Sequence, residues 1–109
     1  MDKRKERLLE EHGWKVGDAQ SFLELSDGEM EYIEIKISLS QKVKELRKLR
    51  ELTQEEMAKL IGSSQSRVAK IEAGDPSVSI DLQVKSLIAL GATRTELAAT
   101  IKSSEIAAV

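Results

Sequence analysis

The stretch from Thr53 to Gly74 constrains this chain most, because it leaves room for two short helices and almost nothing between them. Thr53 begins the first, which turns Met57, Leu60 and Ile61 inward and stops at Gly62. The second runs from about Gln65 to Ala73, presents Val68 and Ile71 inward, and ends at Gly74, a residue suited to a left-handed C-terminal position. Ala58 is small where two helices must cross closely. Gly62 falls where a short turn needs a positive φ, which glycine adopts without a Cβ penalty. Val68 and Ile71 lock the second helix onto the first at a steep angle. Gln65, Ser66, Arg67 and Lys70 must then point away from the core. A helix exposed in this way can enter the major groove of duplex DNA with its N-terminal residues against base edges.

Helix start and stop signals continue on both sides. Ser26-Asp27-Gly28-Glu29 has the spacing of a capping box, in which the Ser oxygen accepts from the amide three residues on and the Glu reaches back. Met30, Ile33 and Ile37 would follow on one helical face. Ile33, Ile35, Ile37 and Leu39 also alternate with polar residues, which is strand-like, and the capping box decides for helix. Ser38 with Gln41 makes a second box, predicting a new helix that carries Leu39, Val43, Leu46 and Leu49. Beyond the single proline, Pro76, Ser79 caps a fourth helix with Ile80, Val84, Leu87 and Ile88 on one face and Gly91 at its end. Thr93 with Glu96 starts a fifth, with Leu97 and Ile101. The fold class is therefore all-α: a five-helix domain over residues 38–102, an N-terminal, mostly helical extension over 1–37, and a tail over 103–109. In the extension, Met1–Arg7 is a charged leader and Leu8–His12 gives one helical turn before Gly13. Trp14, Val16, Phe22, Leu23 and Leu25 form an apolar cluster that either packs on the domain or docks a partner.

Composition narrows the function. At 109 residues the chain can bury a modest core but not a large enzyme cleft. Aromatics are 3%, so Leu, Ile, Val and Ala must fill that core. There is no Cys, which excludes disulfides and thiolate metal sites, and His12 has no second His or Cys with which to share a metal. No phosphate-cradling glycine loop and no Ser/His/Asp arrangement is evident. No enzyme, cofactor or metal is expected. With no secretory or membrane-spanning apolar run, a cytoplasmic protein without membrane contact is expected. The pI near 5.5 runs against the basic character usual in DNA binders. The acidity is local, however. Residues 1–38 hold six Lys/Arg against ten Asp/Glu, residues 39–75 eight against six, and residues 76–109 three of each. What matters for DNA is the field on one face.

Over about Leu39–Ile101 the chain resembles the Xre/Cro-type, lambda-repressor-like helix-turn-helix family. The resemblance rests on Thr53-Gln54-Glu55-Glu56, Ala58, Gly62, Ser64, Ile71-Glu72 and Gly74 in unbroken spacing. It implies that Gln54 contacts a phosphate and braces the recognition helix, and that Ser64, Gln65, Ser66 and Lys70 fall where base and phosphate contacts are made. It also implies a structural ion pair between Arg47 and Glu72. The chain departs from the pattern in three places, one of them the loop after Gly74, which is short while the helix that follows is extended by a similar amount. Ser63 replaces a small apolar residue, and Ala73 and Asp75 stand where many members offer Asn, Arg or Lys to the backbone. The departures imply modest affinity from one domain, or dependence on a dimer.

Two functions follow as expectations. The first is a sequence-specific transcriptional regulator, a repressor binding a palindromic operator in double-stranded DNA as a homodimer. Its contacts are Gln54, Ser64, Gln65, Ser66, Arg67 and Lys70, and Leu97 and Ile101, or Ile106, are candidates for the dimer surface. The second follows from a similarity to HigA-type antitoxins. It is an antitoxin whose acidic residues 1–38, with Trp14 and Phe22, cover a small basic ribonuclease toxin.

Overall fold

α1 spans Asp27–Leu49, 23 residues and about 35 Å. The computed structural model describes residues 27–103, and among these it forms five helices and no strand. The leader, the turn at Leu8–His12, the cluster from Trp14 to Leu25, the Ser26 cap and Ile106 lie outside the described residues. α2 is Gln54–Ile61, α3 Gln65–Ala73, α4 Ile80–Ala89 and α5 Arg94–Lys102.

α1 runs unbroken through Ser38, so the helix start expected there does not occur. Packing on both sides of that position explains it. Leu39 belongs to the central core and Ile35 packs against it, while Ile33 and Ile37 are buried as well. Each pair lies two residues, or about 200°, around the helix from the other. A helix covered on two sides shows an apolar residue at every second position, which is why the segment also looked strand-like. Gln83 of α4 ties the middle of α1 in place. Its buried amide donates to the Lys36 carbonyl (2.8 Å) and to Ser40 Oγ (2.7 Å).

The shorter helices are bounded by their own sequence. Thr53, Ser64, Ser79 and Thr93 each accept at the side-chain oxygen from the backbone N–H three residues on. Glu56 returns the bond to the Thr53 N–H at 2.9 Å, completing a capping box. α1 to α4 all end in the same way, with two backbone bonds closing back over the last turn. The N–H groups of Leu52, Ser63, Asp75 and Ala92 reach the carbonyls of Arg47, Ala58, Lys70 and Leu87. Such a closure needs a left-handed residue one position earlier. Gly62, Gly74 and Gly91 supply it at φ +65°, +73° and +91°, and Glu51 adopts φ +56° without that freedom.

The core gathers Leu39, Val43, Met57, Ala58, Val68, Ile71, Val78, Leu87 and Leu90. Leu97 packs against it. Four residues that helical spacing turns inward do not join it: Leu49, Leu60, Ile88 and Ile101 are 69%, 52%, 57% and 44% exposed. On α4 the deep positions next to Leu87 are Gln83 and Ser86 instead. Among the described residues, no helix is long and apolar enough to cross a membrane.

Candidate nucleic-acid interface

α2 and α3 meet through a turn of three residues, Gly62–Ser64. Ser63 donates its N–H to Ala58, and Ser64 caps α3 through the Arg67 N–H at 3.2 Å. Ser64 thus holds the start of α3, a role that its spacing three residues before Arg67 could have shown.

The six DNA-facing candidates lie on or beside these two helices. Ser64, Gln65, Ser66, Arg67 and Lys70 are exposed, while Gln54 is half-buried. Gln54 and Gln65 are joined, because Gln65 Nε2 donates to Gln54 Oε1 at 2.6 Å. Gln54 Nε2 in turn donates to Glu72 Oε1 at 3.2 Å. Glu72 is buried and takes a two-point bond from Arg47, Nε to Oε2 at 2.5 Å and Nη2 to Oε1 at 3.0 Å. Arg47 Nη1 also donates to the Leu52 carbonyl at 2.7 Å. The ion pair implied by the resemblance is therefore present.

This chain of bonds has a direction. An ionised carboxylate only accepts, so Gln54 must turn its NH2 to Glu72 and its carbonyl to Gln65. Gln65 must then turn its NH2 to Gln54. The Gln65 carbonyl and the second hydrogen of its NH2 are left for a ligand. The anchor of the chain is a buried ion pair with all its geometry satisfied, and removing one partner of such a pair costs several kcal/mol.

Electrostatics favour an anion at the same edge. α3 has no acidic residue in its first turn, whereas α1, α2, α4 and α5 each have at least one. The positive end of its dipole and its free N–H groups therefore face outward without a neutralising carboxylate. The acid-free first turn of α3 is legible in Gln65-Ser66-Arg67 alone. Among the described residues, Arg67 and Lys70 take no part in the ion pairs that join Lys42 to Glu45, Arg47 to Glu72 and Lys85 to Asp81. Asp75 opposes this field in part, with Lys70 near enough to help hold its carboxyl ionised. Its main bonds are structural: Oδ1 accepts from the Ser77 hydroxyl (2.6 Å) and N–H (2.8 Å), which keep the carboxyl below its ordinary value. The loop behind α3 is also tied to α1, since Lys36 Nζ donates to the Pro76 carbonyl at 3.2 Å. Burial pushes the Lys36 ammonium below its ordinary value, and Asp75 acts against that shift.

A capped pair of short helices joined by a three-residue turn, the second with an exposed polar face and no acidic residue in its first turn, is a DNA-binding helix-turn-helix unit. The helix-turn-helix family model matches residues 43–97, and the chain belongs to this Xre-type, lambda-repressor-like family of DNA-binding transcription regulators. No curated protein and no solved structure matches it.

Proposed function

We propose that the protein is a repressor that binds a palindromic operator as a homodimer, α3 lying in the major groove. Gln54, Ser64, Gln65, Ser66, Arg67 and Lys70 make the contacts in this reading. One observation carries it: the bond chain from Arg47 through Glu72 and Gln54 holds Gln65 in a single orientation before any DNA arrives. A glutamine that offers a carbonyl and an N–H together suits adenine, which presents its N6 amine and N7 acceptor in the major groove. Lys70 and Arg67 supply the salt-dependent attraction to phosphates. One α3 helix covers few base pairs, so two half-sites about one helical turn apart are needed for specificity.

The test is fluorescence anisotropy on duplexes recovered by footprinting the DNA upstream of the gene. The double variant Gln65→Ala, Lys70→Ala is expected to abolish operator binding at an unchanged melting temperature. Unchanged binding would sink the assignment of these residues.

A second reading, an antitoxin that covers a small basic ribonuclease and represses its own operon, has one observation in its favour. The first turns of α1 expose Asp27, Glu29 and Glu31 beside Tyr32, which is 52% exposed, continuing the acidic balance of residues 1–38. An acidic surface with an aromatic anchor suits a basic partner. Co-purification with the product of the adjacent reading frame tests it, and a chain that purifies alone beside no such frame counts against it.

A further inference from the structure

One of the large apolar side chains left outside the core opens onto a groove. Leu60 lines a groove of about 720 Å³ between α2 and the ends of α1 and α4. Its other walls are Arg50, Leu52, Glu56, Lys59 and Ala89. Leu49 and Ile88 directly precede Arg50 and Ala89 in the chain. A small domain rarely exposes large apolar residues together unless something covers them.

We propose that this groove is where a second copy of the chain docks. The choice of occupant comes from charge. The walls carry both signs, with Arg50 and Lys59 on one hand and Glu56 on the other. Bonds from Thr53 keep the Glu56 carboxyl ionised. A two-fold contact sets a patch against its own rotated copy, so a mixed-charge rim around an apolar centre is self-complementary. Glu56 of one copy then meets the cations of the other. A strongly basic or strongly acidic partner would instead leave one of these signs facing its like.

The groove also stands clear of the edge that faces DNA. On α2, Leu60 lies six residues from Gln54, about 120° around the helix axis, so both surfaces can be covered at once. This inference rests on the dimer reading above and names its surface. It takes the place of Leu97, which packs against the core, and of Ile101, which is exposed on α5 but does not line the groove.

The test is analytical ultracentrifugation of the full chain beside Leu60→Asp and Ile88→Asp. Each variant is first checked for native helical circular dichroism and melting temperature. The unaltered chain is expected to sediment as a dimer. Each variant should raise the dissociation constant about thirtyfold or more, as loss of a buried interface anchor does. Lys59→Glu, an exposed change that should fold in any case, is expected to weaken the dimer less, in a salt-dependent way. A monomeric unaltered chain overturns the proposal, and so do variants that dimerise like it. Anisotropy on a duplex carrying one half-site separates this result from the DNA reading. Monomeric variants that still bind the half-site leave that reading intact. A chain that dimerises through the groove but binds no duplex sinks the DNA reading alone.

Discussion

The two ends of α2 expose surfaces of opposite construction. At its start, Gln54 is a polar residue held by polar partners, fixed through Glu72 and Arg47 and passing that order on to Gln65. Near its end, Leu60 is an apolar residue with no place in the core, beside a groove edged by Arg50, Lys59 and Glu56. The first surface is organised before any partner arrives, as recognition by hydrogen bonds requires, since a misdirected amide loses both of its bonds. The second needs no such order, because burial of apolar area is not directional. Order at a surface thus marks a site that reads its ligand, and exposed apolar area marks one that only needs to be covered.

The comparison breaks most readily at its buried anchor. Glu72→Ala leaves the Arg47 guanidinium buried without its partner and is expected to cost about 3–5 kcal/mol, measured by urea unfolding. It should also release Gln54 and Gln65, so that DNA affinity falls even where the fold survives. A cost under about 1 kcal/mol would show that the pair does not organise the edge.

The apolar side is tested by a contrast within α4. Leu87→Ala, fully buried, is expected to cost about 2–5 kcal/mol, whereas Ile88→Ser in dilute monomer should change stability by no more than about 0.5 kcal/mol. Equal losses would mean that Ile88 contributes to the core after all. The turn that joins the two halves of the recognition unit comes next. A Cβ at Gly62 meets nothing within 4 Å, so Gly62→Ala strains only the left-handed backbone. Its expected cost is about 1 kcal/mol, read as a lowered melting temperature.

The smallest effect is with pH. Hydrogen bonds from Thr53 and Ser77 hold the carboxyls of Glu56 and Asp75 below their ordinary values of 4.5 and 3.8. A carboxyl lowered in the folded state stabilises it fully above its unfolded value and ceases to do so as pH falls through the folded one. Melting temperature should therefore hold steady above about pH 5 and decline below pH 4. The decline should be shallower in Ser77→Ala, which removes one of the two bonds to Asp75. An equally steep decline in that variant would show that Asp75 does not contribute.

Much of this architecture was legible before any coordinates. Helix ends are local events, decided by a hydroxyl three residues from an amide or by a residue able to adopt positive φ. The bounds of α3 and its exposed polar face accordingly follow from Gln65 to Gly74 read alone. The Arg47–Glu72 pair was reached through the family resemblance. Its extension to Gln54 and Gln65 is a matter of atoms meeting across helices.

What only the tertiary structure decided is which apolar residues are covered. Periodicity treats Leu49, Leu60 and Ile88 like Val43, Met57 and Leu87, because all of them recur at helical intervals. Burial, however, depends on whether another element arrives at that spot. Helix positions that no other element reaches leave their apolar residues bare, while Gln83 and Ser40 are drawn inside, the Gln83 amide donating to Ser40 there. The same reasoning covers Ser38, whose capping signal is local and is overridden by the packing of α1 on both sides. The sequence by itself determined where α2 and α3 begin and end and which polar residues face away. The tertiary contacts determined how Gln65 is aimed, and which leucines and isoleucines remain exposed.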